Sequence, residues 1–547
     1  MPDFVPALRS AAASRRDLLR LSGLAAAGTL VGVGLAPPAA RADGGSGYTA
    51  RQTFDDWDRL FQAGSPGQPD QPNDNTNADG RSGMLAWSQS YVLLGLVRMY
   101  ETYKDTYYLD RLIENIDQVL SVRDSERGVS DYRGLSLPAW RADYPYTVGF
   151  TTLRDSEGRP TLEVRSALTY ANDVTVTVLA GTRPDTFTLE VVNAQSNRTA
   201  TIADLTMDPT SGDYAVLRFY QSSIGPLMWT VRDVRESPTA AGNPAPGSFP
   251  MLSKPVIFAV HTGMITYPIA SFVRIVRQSP SLLKNRRYRA KAAEYLDAVR
   301  AAVAVHDWEY RENDNGEGYL IWPKGQPLAW DGCEQPINQS LALGQTLVEL
   351  AITTGNPAYR NKVKAMAKMF ARQLTVDAGG AYTWHYWPTG GHVYEGFTRT
   401  GSPDTDISLF TPEPVGGRGY KQFEDISHGA IGVEFAVRAF RAKLGFSGLD
   451  MTRFARTFTQ NVATTDDTGQ PATRTTVAGT GLGAASVAQQ VPRWMQATPW
   501  DAGVHAHSLA LYNRYQPTPE QDGAQAIGFG WLLANVAYLN WGAKYSA

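Results

Sequence analysis

The sequence predicts a mainly α-helical protein, an (α/α) toroid of five to six helical hairpins with an inserted antiparallel β-sandwich. Three observations lead there. A helical hairpin recurs along the chain, one stretch trades helical periodicity for strict alternation, and a Pro/Gly-rich segment then returns the chain to helices.

The chain opens with Ser14-Arg15-Arg16-Asp17-Leu18-Leu19-Arg20, an apolar stretch from Leu21 to Ala36, and Ala40-Arg41-Ala42. A charged start, a short apolar run and a small-residue exit are the order of an export signal, and paired arginines point to the twin-arginine route. Residues 1–42 therefore read as a signal peptide cleaved after about Ala42, and the mature protein as secreted or periplasmic. Ser22, Gly23 and Thr29 interrupt the apolar run, which is short for a ~20-residue span. No stable membrane anchor is expected here or later in the chain.

Of 51 basic and 53 acidic residues, five and two lie in residues 1–42, which leaves the mature part at a net charge of −5. That excludes nucleic acid as the expected partner, because such binding needs a basic surface. The single cysteine, Cys333, forms no internal bridge, so stability must come from a core, and about 500 residues bury a large one. Thirteen Trp and 26 Tyr suit the flat faces of a carbohydrate cleft. They equally suit large cores and sheets.

Residues 43–83, rich in Gly, Pro, Asn and Asp, read as an extended lead-in. Within them Asn75-Thr-Asn77-Ala-Asp79-Gly80 resembles the front of a calcium loop, but its twelfth position is Ala86 rather than Glu, so no cofactor is expected and calcium is the weak exception. From Met84 the pattern is helical, with Trp87, Tyr91, Leu94 and Val97 on one face and a return run of Leu112, Ile116, Val119 and Leu120. Residues 84–146 form this first part.

Residues 147–236 alternate strictly, as in Val174-Thr-Val-Thr-Val-Leu179 and Phe187-Thr-Leu-Glu-Val-Val192, with turns at Asn172-Asp173 and Arg183-Pro184-Asp185. Six to eight antiparallel strands of a sandwich fit them. Residues 237–250 read as a linker, and 251–547 as the remaining hairpins. These begin at residues 261–277, 336–352 and 426–442, and the chain closes through Trp500–Tyr515 and Gln525–Lys544. One hairpin cannot bury both its faces, so repeated units stack side by side.

In such a fold the inner helices start at one rim, and their first residues line a common pocket. The candidates are Trp87, Gln89, Tyr91, His261, Asn338, Gln339, Asp425 and His428, with loops carrying Trp330, Asp331, Glu334 and the run Trp384-His385-Tyr386-Trp387. His428 reads either as a packed core histidine or as a general base or acid tuned by Glu424 or Asp425. Asp425 and Asn338 also read as helix caps, while an amide such as Asn338 can polarise a carboxylate or carbonyl. Trp384 to Trp387 reads as a sugar platform with an acid–base pair, or as a strand packed on the rim. No metal site is expected from His505 and His507, which two residues apart would face differently on a helix.

The helix starts Trp87-Ser-Gln89-Ser-Tyr91, Asn338-Gln339-Ser340 and Asp425-Ile-Ser-His428-Gly429, with the Gly355-Asn-Pro-Ala-Tyr359 turn, resemble the helical domain of D-glucuronyl C5-epimerases and related toroidal polysaccharide lyases. The resemblance covers roughly residues 84–125 and 255–545, and the sandwich between the first two hairpins departs from it. It implies chemistry at C5 of a uronic acid in a polysaccharide, by β-elimination or epimerisation. It also implies His428 and Tyr386 as the acid–base pair with His385 in reserve, Asn338 and Gln339 on the carboxylate, and Trp87 and Trp384 stacking on sugars. Two other readings stand beside it. An inverting glycoside hydrolase would draw two carboxyls from Asp331, Glu334, Glu424, Asp425 and Asp501. A non-catalytic glycan-binding protein would use the aromatic residues alone.

Overall fold

In a computed structural model of the chain, the described residues are 47–62, 83–222, 229–400, 402–413, 418–519 and 529–545. The expected signal peptide and the calcium-like run 75–80 lie outside them. Helices dominate, accompanied by several small antiparallel sheets.

The lead-in differs from expectation. Arg51–Gln62 is a helix, α1, rather than extended chain. Phe54, Asp58 and Phe61 fall four and three residues apart on its buried face, a helical spacing that outweighs the Gly/Pro-rich composition around it. Asp58 accepts a hydrogen bond from Arg111 Nε at 3.2 Å, which ties α1 to the first hairpin.

That hairpin is α2 (Ser90–Tyr103), entered through a π-helical turn at Leu85–Gln89, and α3 (Tyr107–Ser121). Further pairs are α4 (Ala259–Gln278) with α5 (Arg286–Ala304), α6 (Ile337–Thr354) with α7 (Pro357–Gln373), and α8 (Ile426–Arg441) with α9 (Gly448–Arg456). A 3-10 segment at Val491–Trp500, α10 (Gly503–Tyr515) and α11 (Phe529–Ala543) complete the longer helices among the described residues.

Local chemistry sets the starts of the return helices. Asn285 caps α5, Asn356 caps α7 with Pro357 behind it, and Ser447 with Asp450 forms a capping box on α9. Gly355, at φ +66°, ends α6 in the left-handed conformation that glycine adopts without strain.

The first helix of each pair is almost wholly buried, whereas the return helices bury one face. The buried members pack in a circuit: α2 on α4, α4 on α6, α6 on α8, α8 on the 491–500 segment, that segment on α11, and α11 back on α2. The α4–α6 contact is close because Gly263 has no side chain. A Cβ there would sit 2.4 Å from backbone atoms of Ala342 and Leu343.

α2, α4, α6 and α8 run in one direction. Their starts meet through Trp87–His261 and Asn338–Glu424 hydrogen bonds. Their later turns meet through a buried ionic cluster. Arg98 lies 2.6 Å from both Glu101 and Glu434, Arg274 lies 2.8 Å from Glu101 and from Glu349, and Arg438 also pairs with Glu349. Three cations and three carboxylates thus pair with one another in a largely buried cluster, which is the condition for keeping such charges out of water.

Between the first two hairpins run two four-stranded antiparallel sheets. Their strands are β1 (Gly149–Arg154), β2 (Pro160–Ser166), β3 (Val174–Ala180), β4 (Phe187–Asn193), β5 (Arg198–Leu205), β6 (Trp229–Asp233), β7 (Gly247–Pro250) and β8 (Leu252–Ser253). The orders are β6-β2-β1-β8 and β5-β4-β3-β7. Val174, Val176 and Val178 of β3 meet Leu153, Leu162 and Val164 of the other sheet in one apolar cluster. The expected linker is partly strand. Residues 247–250 pair with β3 in the register Val176↔Phe249, because an open edge of unpaired backbone groups takes the returning chain.

Among the described residues no helix is long and apolar enough to cross a membrane.

Candidate active site

A cavity spanning about 760 Å³, part of it open to solvent, lies at the helix starts. Trp87, His261, Asn338, Gln339 and His428 come from the beginnings of inner helices, and Trp330 and Tyr386 from loops. The expected convergence therefore holds for these seven residues. Tyr146, Phe258, Trp322 and Trp387 complete an aromatic wall, and Thr169, just beyond β2, brings the sheets to its edge. Among the described residues the wall includes no Asp, Glu, Lys or Arg; its titratable members are His261, His428, Tyr146 and Tyr386.

His428 is held by its own helix cap. Asp425 Oδ1 accepts the backbone N–H groups of Ser427 at 2.9 Å and His428 at 3.0 Å, while Oδ2 lies 2.6 Å from His428 Nδ1. One carboxylate thus both caps the helix and holds the His428 imidazole. Nε2 is the ring nitrogen left for the cavity. Burial pushes the imidazole's pKa down, but the charge and hydrogen bond of Asp425 more than reverse this, and the net shift is upward.

Glu424 is fully buried behind this dyad. Its Oε2 accepts from Asn338 Nδ2 at 3.0 Å and its Oε1 from the Asp425 N–H at 3.1 Å. Burial, then the charge of Asp425, raises its pKa to about 8, so it holds a proton at neutral pH. Glu424, Asp425 and His428 place ligand atoms within 4.8 Å of one another. Their inward atoms are already engaged by Asn338, backbone N–H groups and each other, so a cation there would have to displace those bonds.

Tyr386 stands edge-on to His428, with ring centroids 5.7 Å apart. Burial and then the charges of Glu424 and Asp425 raise its phenol pKa, against the hydrogen bonding of Gln339 and Asn338. The phenol is therefore a proton donor at neutral pH. His261 is the opposite case. Its Nε2 accepts from Trp87 Nε1 at 3.0 Å, and burial drives its pKa down to about 3, which keeps it neutral. Two polar atoms of the wall, Gln339 Oε1 and Trp330 Nε1, are buried without a hydrogen-bond partner, an acceptor and a donor that a ligand would satisfy. Trp330 also takes φ +63°, a left-handed conformation that an indole-bearing residue adopts only when its surroundings impose it.

Six expected site residues lie elsewhere. Trp384 is 1 % exposed among Phe370, Phe454 and Trp494 and offers no face to a sugar. His385 stacks on Phe423 at 4.5 Å, outside the cavity. Gln89 donates to Asn115 across the first hairpin at 2.7 Å. Tyr91 stacks on Trp531 and accepts from Arg493. Asp331 anchors its loop by accepting from the N–H groups of Gly325 and Phe410, and Glu334 is engaged by His392. The sequence reading passed over Arg493, which donates to Ser427 Oγ at 2.9 Å and Tyr91 Oη at 2.6 Å beneath His428. Its only sequence signal is a basic residue inside an otherwise apolar run.

No protein-family model matches this chain, and neither does any curated protein.

Proposed function

We propose that the protein is an exported carbohydrate-active enzyme that cleaves a uronate-containing polysaccharide by β-elimination, on an (α/α) toroid of five to six hairpins carrying the sheets as an insertion. The circuit of parallel buried helices supports the toroid. One observation carries the chemistry: His428, Tyr386, Asn338 and Gln339 share an aromatic-walled cavity whose wall, among the described residues, holds no carboxylate. An inverting hydrolase needs two carboxyls ~6.5–9.5 Å apart across the bond. Here Glu424 and Asp425 are sequence neighbours on the same side, behind the wall, and Asp331 and Glu334 are tied into loops.

In the proposed reaction the Asn338 and Gln339 amides hold the uronate carboxylate, which acidifies the C5 proton. His428 Nε2 takes that proton, with Asp425 stabilising the imidazolium. The C5–H electron pair forms the C4=C5 double bond as the C4–O4 bond breaks, and the Tyr386 hydroxyl protonates the leaving O4. Return of the His428 proton to the phenolate, through product departure and solvent, restores the site. Trp87 and Trp330 flank the sugar rings. Epimerisation shares the first step and differs in reprotonating C5 from the other face.

The test is incubation of residues 43–547 with a panel of acidic and neutral polysaccharides. The expected product carries the ultraviolet absorbance of an unsaturated uronate. New reducing ends without that absorbance would favour hydrolysis, deuterium at C5 without cleavage would favour epimerisation, and binding without either would leave a glycan-binding protein.

A further inference from the structure

A second depression lies at the other end of the parallel helices. Glu101, Lys104, Arg274, Arg438 and Arg441 line it with Trp541, and it spans about 1020 Å³, much of it open to solvent. Its floor is the neutral ionic cluster described above. Its rim is not neutral. Lys104 and Arg441 make no side-chain hydrogen bond or ion pair among the described residues; Lys104 stands over the Tyr100 ring at 5.4 Å and Arg441 over the Trp541 ring at 5.7 Å. Arg438, which is 6 % exposed, keeps a buried Nε with no partner.

Cations often sit at helix C-termini, and Lys104 and Arg441 each do so. That accounts for either residue alone. It does not account for their lining one depression together with Arg438, nor for Arg441 standing where burial and then the charges of Arg438 and Arg98 press its pKa downward. Nor does it account for the orphan Nε. Like charges gathered around a cavity are relieved by an anion that fills it.

We infer that this depression is an oxyanion site, taking a carboxylate, sulfate or phosphate group between Arg441 and Lys104 with Arg438 behind. The anion has two sources, a free inorganic ion or the acid group of a polymer chain. The site lies at the opposite helix ends from His428 and asks nothing of the chemistry proposed there.

The experiment is calorimetric titration of residues 43–547 with sodium sulfate and, separately, with tri-galacturonate, at an ionic strength fixed with sodium chloride. Saturable binding of at least one probe is expected. Arg441→Gln should weaken it about tenfold, the scale of one charge-assisted hydrogen bond. Lys104→Asn should weaken it in the same direction, and Asn tolerates the φ of +58° at that position. Unchanged circular dichroism establishes that each variant folds, and either variant suffices for the test. Sulfate binding alone would assign a free anion; tighter tri-galacturonate binding would assign a polymer's acid group. No saturable binding beyond the chloride control, or binding lost in Asn338→Ala and retained in both rim variants, would overturn the inference.

Discussion

His428 Nδ1 stands 2.6 Å from Asp425 Oδ2, and the other oxygen of that carboxylate caps the helix on which His428 rides. One side chain therefore fixes both the position and the proton affinity of the imidazole. Asp425→Asn separates the two roles. Asn caps helices about as well as Asp, so above the folded pKa of His428, where the imidazole is neutral in both proteins, the thermal midpoint should hardly move. The imidazole loses its anionic partner, so its pKa should fall and turnover should drop about 10²-fold or more. The acid limb of the kcat profile should shift to lower pH; a variant with wild-type kcat and an unmoved limb would remove the dyad from the mechanism.

Tyr386→Phe should separate the two halves of the proposed reaction. With the phenol gone, O4 has no proton donor and chain cleavage should fall about 10²–10⁴-fold. His428 can still remove the C5 proton, so deuterium should enter the uronate in heavy water. Wild-type cleavage by the variant would mean that another group protonates O4.

Glu424 and His428 make stability depend on pH with one sign, and His261 with the other. Burial raises Glu424 from its ordinary 4.5 to about 8, and His428 is also raised. Each holds its proton more tightly folded than unfolded, so each contributes stability that is present below its ordinary pKa and lost as pH rises through its folded value. His261, kept neutral by burial, contributes the opposite slope below its ordinary 6.5, so the net decline of the urea midpoint should lie between about pH 6.5 and 8. Glu424→Gln should flatten that decline, and a variant keeping the full wild-type slope would show that the proton resides elsewhere.

Much of this arrangement was legible in the chain, and its limits have physical causes. Helix starts such as Asn356-Pro357 and Ser447–Asp450 are local chemistry, so short windows reveal them. Because the buried helices run parallel, their opening residues converge, and Trp87, His261, Asn338 and His428 could be grouped without coordinates. Loop carboxylates were not legible in this way. Asp331 and Glu334 look like reactive groups until their backbone partners are known. The run 384–387 misled for a related reason. Tyr386 and Trp387 reach the cavity, but Trp384 meets Phe370 and Phe454, which come from distant helices. Helix α1 was hidden by composition, since Phe54 and Phe61 are few against their polar neighbours.

The convergence itself rests on how closely α4 approaches α6, which gives a final prediction. Gly263 faces the Ala342 and Leu343 backbone, where a Cβ would sit at 2.4 Å. Backbone cannot swing aside as a side-chain end can, so Gly263→Ala must push the two helices apart. The gain in helix propensity from Gly to Ala is at most about 1 kcal/mol, and overpacking costs about 1–3 kcal/mol. The substitution should therefore destabilise the fold in chemical denaturation. It should also lower activity at temperatures where the protein is still folded, because Gly263 lies one turn from the start of α4, two residues after His261, and Ala342 lies four residues after Asn338. A variant as stable as wild type would show that the contact relaxes, and full activity alongside lost stability would show that the cavity does not depend on this spacing.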